Sequence, residues 1–259
     1  MYQEIIFEIK EGYAVLTFNK PKTLNALSNK MKEELEDVLR VVEADDNIRG
    51  LIITGSGRAF MAGTDLSEIN LDRSAEETKE MSLHGQALMN KIEALGKPVI
   101  AAVNGYALGG GTELALACDM RVAGEKAVFG LPEVDLGVAP CYGGTQRLAR
   151  LCGPGVAKDL LFTARKVRAE EALQIGLANR IFPQDTLLEE TENLMKTIIK
   201  NGPIALKACK YLVDKGLDMS FADGLEYEAE LNGMLGATED SKEGIQAFFE
   251  KRAPVFRGK

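Results

Sequence analysis

The chain has 259 residues, 46 % hydrophobic and 27 % charged, which is enough apolar material for a large core in one domain or two. A formal net charge of −8, from 31 basic and 39 acidic residues, argues against a nucleic-acid partner. A single histidine, His84, and four cysteines (Cys118, Cys141, Cys152, Cys209) without metal-type or redox-type spacing argue against zinc–histidine, Ser-His and Cys-His chemistry. The same cysteine usage suits a reducing compartment, so a cytoplasmic protein without a metal is expected.

In chain order, EIIFEI and YAVLTF alternate in polarity around Glu11-Gly12, which predicts a β-hairpin over residues 2–18. The opening MYQEIIFEIKEGY therefore reads as neither a signal peptide nor a transit sequence. After the loop NKPKTLNA (19–26), Ser28 is placed to cap a helix whose apolar positions are Met31, Leu35, Val38, Leu39 and Val42. GLIIT (50–54) reads as a buried strand, GSGRAFMAGTDLSEIN (55–70) as a glycine-rich loop, and 75–95 as a helix. PVIAAV (98–103) reads as a second buried strand, followed by the glycine turn NGYALGGG and the helix TELALAC. Beyond a short strand at 127–129 and a Pro/Gly-punctuated loop that turns helical near Thr145, the pattern is mainly helical. Helices are expected near 155–164, 169–175, 186–200, 203–215, 219–235 and 240–250, with one strand at 179–182. The alternation of strands and helices predicts an α/β fold, with one core over 1–200 and a helical C-terminal subdomain over 201–259.

Residues 98–119 concentrate the chemistry. Strand, glycine loop and helix start aim free backbone N–H groups and a helix dipole at one spot, suited to an anion or to an oxygen gaining charge. Glu113, one turn into that helix, is the one charged residue of an apolar run; it is either an acid–base group with a raised pKa or a cap. Proline, asparagine, the glycines and Glu113 argue against a membrane span. Met61-Ala62-Gly63-Thr64-Asp65 is a second glycine turn after a strand, so the N–H groups of Thr64 and Gly110 are candidates to hold one carbonyl oxygen. In Leu131-Pro132-Glu133-Val134-Asp135, spacing does not choose between the two acids. Gly55-Ser56-Gly57 has Phe60 where a dinucleotide fingerprint needs its third glycine, no phosphate-loop motif is present, and Ser82 with His84 lacks an acidic partner pattern.

Four blocks carry a resemblance: KPKTLNAL (20–27), GRAFMAGTDL (57–66), KPVIAAVNGYALGGGTELALACD (97–119) and FGLPEVDLGVAPCYGGTQRLAR (129–150). With the tail EGIQAFFEKRAPVFRGK, they make the chain resemble the crotonase (enoyl-CoA hydratase/isomerase) superfamily, and within it the short-chain enoyl-CoA hydratases. The resemblance implies a spiral of ββα units with a helical trimerisation layer, as a homotrimer or a homohexamer. It implies an acyl-CoA substrate as in fatty acid metabolism, no cofactor beyond the CoA of the substrate, and no membrane partner. It implies catalytic roles for Glu113 and Glu133 and an oxyanion hole from Thr64 and Gly110. Its substrate-binding positions correspond to Lys22, Leu24, Ala26, Ala62, Asp65, Leu66, Gly109, Pro140, Cys141 and Tyr142, with Phe248 and the terminal Lys259 expected near a neighbour's adenine. Glu113 is expected to activate water and Glu133 to serve the α-carbon. Cys141-Tyr142 departs from the small Gly-Ala type pair of the family and bears on the acyl group accepted. An enoyl-CoA isomerase, a hydratase of a cyclic dienoyl-CoA and a non-catalytic acyl-CoA-binding protein are the alternatives.

Overall fold

A computed structural model describes residues 2–259. The chain repeats a strand–strand–helix unit. The first comprises β1 (Ile5–Lys10), β2 (Tyr13–Phe18) and α1 (Asn29–Ala44); the second, β3 (Leu51–Gly55), β4 (Ala59–Met61) and α2 (Ala75–Glu93). The third is β5 (Val99–Val103), β6 (Tyr106–Leu108) and α3 (Gly110–Ala117). β7 (Met120–Gly124) and β8 (Val128–Gly130) then lead through a 3₁₀ turn over Pro132–Leu136 to α4 (Gly144–Cys152). α5 (Pro154–Thr163), β9 (Val167–Arg168), α6 (Ala169–Gln174), β10 (Arg180–Phe182) and α7 (Leu187–Ile198) complete the core. The C-terminal helices are α8 (Pro203–Gly216), α9 (Phe221–Gly236) and α10 (Glu239–Glu250).

From the second unit onward, the two strands of a unit go to different sheets. β1-β2-β3-β5-β7-β10 form the large sheet and β4-β6-β8-β9 the small one. Apart from the β1–β2 hairpin, the large sheet is parallel throughout. Both of its faces are covered, so β3 and β5 are buried at every residue and carry continuous rather than alternating apolar runs. Leu16, Leu51, Ile53, Val99, Ala101 and Val103 join the main core with α1 and α2, whereas Val15, Ile52, Ile100 and Val122 turn to Leu187, Met195 and Ile199 at the other face.

The helix at 29–44 begins as its sequence requires, with the Ser28 hydroxyl accepting from the Met31 N–H at 3.1 Å. Ser74 and Glu77 close a reciprocal capping box on α2. The small sheet is where the sequence reading falls short. Residues 55–70 and 104–111, expected as a loop and a turn, each contain a three-residue strand, and β7 and β9 were not expected either. Strands of two or three residues carry no readable period; pairing with distant partners creates them. The third helix starts at Gly110, inside the glycine triplet rather than after it. Close approach explains that triplet, because a Cβ on Gly111 would lie 1.9 Å from the Met61 carbonyl oxygen.

α8 and α9 contain no buried residue and expose Val213, Phe221, Leu225 and Met234. Lys210 ties α8 to the core through Asp119 at 3.0 Å. The tail folds back on α10: Asp240 accepts from the Arg257 and Gly258 N–H groups at 2.7 and 2.8 Å. Among the described residues no helix is long and apolar enough to cross a membrane.

Candidate active site

The two glycine turns follow β4 and β6, neighbouring parallel strands of the small sheet, and so open at one edge. Leu27 bridges to the first turn: its N–H donates to the Gly63 carbonyl at 2.8 Å and its carbonyl accepts from the Asp65 N–H at 3.1 Å. With residues 63 and 65 engaged on that side, the intervening Thr64 N–H points to the other. In the second turn Gly109 takes φ 51° and ψ −123°, a region open in practice to glycine alone. α3 starts immediately after it, so the Gly110 N–H is among the helix's donors without an intrahelical acceptor. An ideal Cβ on Gly110 would sit 3.7 Å from the Thr64 nitrogen and 3.6 Å from its Oγ1. Thr64 and Gly110 are thus neighbours at a positive helix end.

Two carboxyl groups stand near these turns, in different settings. Glu113, three residues into α3, is 2 % exposed, and its Oε1 accepts from the Tyr142 N–H at 2.7 Å and the Gly144 N–H at 2.8 Å. Burial pushes its pKa up, while the Gly144 and Tyr142 amides and the Arg147 charge pull it back. Glu133 enters from the 3₁₀ turn. A Cβ on Gly109 would meet its Oε1 at 3.1 Å, and its Oε2 is buried without a hydrogen-bond partner. Burial pushes Glu133 up to about 7, with the Glu113 charge adding in the same direction. The turn also decides between the two acids of LPEVD, because it buries much of Glu133 and leaves Asp135 exposed.

α2 covers the site. Its Gln86 donates to the Cys141 carbonyl at 3.0 Å, and a Cβ on Gly85 would overlap the Tyr142 ring at 2.0 Å. Tyr142 is 1 % exposed, and its ring fills the space between Gly85 and Gly110. Its Oη is buried without a hydrogen bond of good geometry; the Thr64 hydroxyl is the polar group beside it. Lys32 stands 5.8 Å from the ring centroid. Burial pushes the half-buried Cys141 thiol up, against a contact with Ser82.

The 20–27 loop frames the entrance. Asn25, buried at φ 57°, donates to the Ser56 and Ala59 carbonyls at 3.0 and 2.8 Å and accepts from the Lys20 N–H at 2.9 Å. Leu24 accepts from the Ala62 N–H at 3.0 Å, which places Leu24, Ala26 and Ala62 beside the Thr64 turn, with Lys22 exposed on the outer bend. Asp65 is engaged structurally: it caps the turn at Ser67 and pairs with Lys20 at 3.3 Å, while Leu66 is 59 % exposed. Pro140 is buried against Gly144. Within the chain Phe248 and Lys259 lie elsewhere. Phe248 is 79 % exposed on α10, and Lys259 sits near Lys97 and Pro98, ahead of β5. His84 is exposed on α2. Sequence reasoning missed Asn25 and Arg147, although both stand in the quoted blocks, as LNAL and GGTQRL.

The enoyl-CoA hydratase/isomerase family model matches residues 8–259. The crotonyl-CoA hydratase of Syntrophomonas wolfei is 45 % identical over 259 residues, covering 100 % of this chain and 99 % of that one. The short-chain-enoyl-CoA hydratase of Clostridium acetobutylicum is 42 % identical over 249 residues, covering 96 % and 95 %. The crystal structure of an enoyl-CoA hydratase from Bacillus anthracis superposes with a TM-score of 0.95 at 39 % identity, covering 99 % of this chain and 100 % of that one. Matched along almost its whole length in sequence and in fold, the chain belongs to the enoyl-CoA hydratase/isomerase family.

Proposed function

We propose that the protein is a hydro-lyase that adds water reversibly across the 2,3 double bond of a short-chain 2-enoyl-CoA, giving a 3-hydroxyacyl-CoA. The observation that carries this is the pair of unlike carboxyl groups beside two converging amides: Glu113 anchored by two N–H donors, Glu133 with a free buried oxygen. The thioester oxygen lies between the Thr64 and Gly110 N–H groups. As water attacks the β-carbon, the C=C electrons move onto this oxygen as an enolate. Each donor is worth roughly 2.7–4 kcal/mol at that point. Glu113, whose carboxylate form is favoured by its two amides and Arg147 against the effect of burial, orients the water and takes its proton. Glu133, whose pKa of about 7 leaves a large share of it protonated at neutrality, delivers a proton to the α-carbon as the carbonyl re-forms. Each acid–base role contributes about 10²–10⁴-fold. The two carboxyls exchange protonation states in a turnover, so the singly protonated pair is the working form in both directions.

CoA is part of the substrate, and no step needs a metal or redox cofactor. The Tyr142 ring supports a short acyl group, because it occupies the space next to Gly110 into which a longer chain would extend. Lys22, Leu24, Ala26 and Ala62 serve as the CoA-facing rim, and Gly109, Pro140 and Cys141 as walls of the acyl site. We read residues 1–200 as the catalytic core and 201–259 as a layer through which copies associate as trimers or paired trimers, which would cover the apolar residues exposed on α8 and α9. The two reduced-type features, buried Cys118 and unpaired cysteines, favour a cytoplasmic setting. Loss of enoyl absorbance from crotonyl-CoA, compared among wild type, Glu113→Gln and Glu133→Gln, tests the reading. Turnover in wild type with a loss of at least about a hundredfold in each variant is expected. Wild-type rates in either variant, or a wild type that turns over only a 3-enoyl-CoA, would overturn it.

A further inference from the structure

Arg147 lies in the first turn of α4, 13 % exposed, and its side chain turns back beneath the 140–144 turn. It donates from Nη1 to the Tyr142 carbonyl at 3.1 Å and from Nη2 to Asn90 Oδ1 at 2.7 Å. Glu93 Oε2 accepts from its Nη2 at 2.5 Å and from its Nε at 3.2 Å. The carbonyl it grips lies between the two amides, Tyr142 and Gly144, that donate to Glu113. Glycines flank both contacts. A Cβ on Gly143, at φ 106°, would meet Arg147 Nη1 at 2.2 Å; one on Gly144 would meet Glu113 Cγ at 2.9 Å. The turn is therefore sandwiched between a guanidinium and a carboxylate and has room for nothing else.

The geometry points to Arg147 as a positioning residue that sets the orientation and the ionisation of Glu113 through the 142–144 turn, with Glu93 and Asn90 of α2 holding the guanidinium in place. Its activity readout rests on the hydratase reading above. The charged and titratable groups facing Glu113 are Arg147 from α4, Glu133 from the 3₁₀ turn, and Cys141 and Tyr142 from the turn itself. Of these Arg147 alone is positive, so it adds to the Gly144 and Tyr142 amides in favouring the carboxylate that must take a proton from water. Glu93 partly offsets that charge from the far side.

Two changes test this from opposite sides of the guanidinium, and the one at Glu93 is isosteric. Arg147→Gln removes the cation and leaves Glu93 uncompensated, so both effects raise the Glu113 pKa. Glu93→Gln keeps an oxygen for Arg147 and removes the opposing charge, so the Glu113 pKa falls. Carboxyl ¹³C NMR of the free protein labelled at glutamate, with the Glu113 signal identified by its loss in Glu113→Gln, reads this without substrate. The expected result is an upward shift of about one pH unit in Arg147→Gln and a smaller downward shift in Glu93→Gln. With crotonyl-CoA, the acid limb of kcat/KM should move in the same directions. In Arg147→Gln, kcat should fall about tenfold or more, as expected for a displaced base, with KM little changed. A folded Arg147→Gln with an unmoved Glu113 titration overturns the proposal, as do shifts of the same sign in both variants. Should Arg147→Gln not fold, Glu93→Gln decides alone, and an unmoved Glu113 there overturns it. A wild type inactive on crotonyl-CoA would sink the hydratase reading and leave the titration test of Arg147 intact.

Discussion

Glu113 offers a sharp separation of chemistry from stability. Both of its amide donors address the same atom, Oε1, at 2.7 and 2.8 Å. Glutamine retains an oxygen there, so Glu113→Gln can keep both bonds. Neutralisation weakens each bond from the charge-assisted to the neutral class, a loss of about 1 kcal/mol apiece. Against this, a group whose pKa is raised by burial is destabilising when ionised, and glutamine removes that cost. The two effects oppose, and the net change should lie within about 1 kcal/mol. Glu113→Ala has no such compensation: it strands two buried N–H groups at about 1–3 kcal/mol each, and water entering the space recovers part, leaving a loss of roughly 2–4 kcal/mol. Both variants should lose at least about a hundredfold in hydration rate. Urea unfolding beside the crotonyl-CoA assay reads both quantities. The sign with pH also follows. A carboxyl with a raised folded pKa contributes stability at low pH that is lost as pH rises through that pKa, so Glu113→Gln should gain on wild type with increasing pH. An alanine variant as stable as the glutamine variant would refute the two-amide anchor; an active glutamine variant would refute the base.

Glu133, pushed up to about 7, should give kcat/KM an alkaline limb near that value, and its contribution to stability should decline between about pH 4.5 and 7; urea midpoints at pH 5 and 8 should differ less in Glu133→Gln than in wild type. Tyr142→Ala should narrow the preference for C4 over C8 enoyl-CoA by at least about tenfold, since each accommodated methylene is worth about 0.8 kcal/mol, at a stability cost of about 3–5 kcal/mol; an unchanged chain-length profile in kcat/KM would remove Tyr142 from the acyl site. Tyr142→Phe deletes a buried hydroxyl without a well-formed bond and should leave the thermal midpoint unchanged or higher. Gly111→Ala would set a Cβ 1.9 Å from the Met61 carbonyl oxygen and should lose at least about 2 kcal/mol, with activity falling as α3 is displaced; calorimetry with wild-type stability would contradict the close packing of α3 on β4.

Local signals were legible where they repeat. The hairpin over Ile5–Phe18, the Ser28 cap with its apolar stripe, and the buried runs at 51–55 and 99–103 all stand where alternation, capping residues and unbroken β-branched stretches place them. The motif blocks were legible too, because an unusual density of glycine and the isolated Glu113 mark them in any window. The small sheet was not. Ala59–Met61 and Tyr106–Leu108 are strands only because they pair with each other across the fold, and three residues give no period.

Sequence alone therefore singled out two glycine turns and two acidic residues as candidates for the chemistry, and it assigned the family from the motif blocks that hold them. Tertiary structure decided what those residues face. It set Gly110 against Thr64, buried much of Glu133 while leaving Asp135 exposed by curling Pro132–Leu136 into a turn, and set Arg147 behind the turn that binds Glu113. The physical reason is that composition and spacing report side-chain type and local period, whereas the direction of a backbone N–H and the burial of a carboxylate depend on contacts tens of residues away.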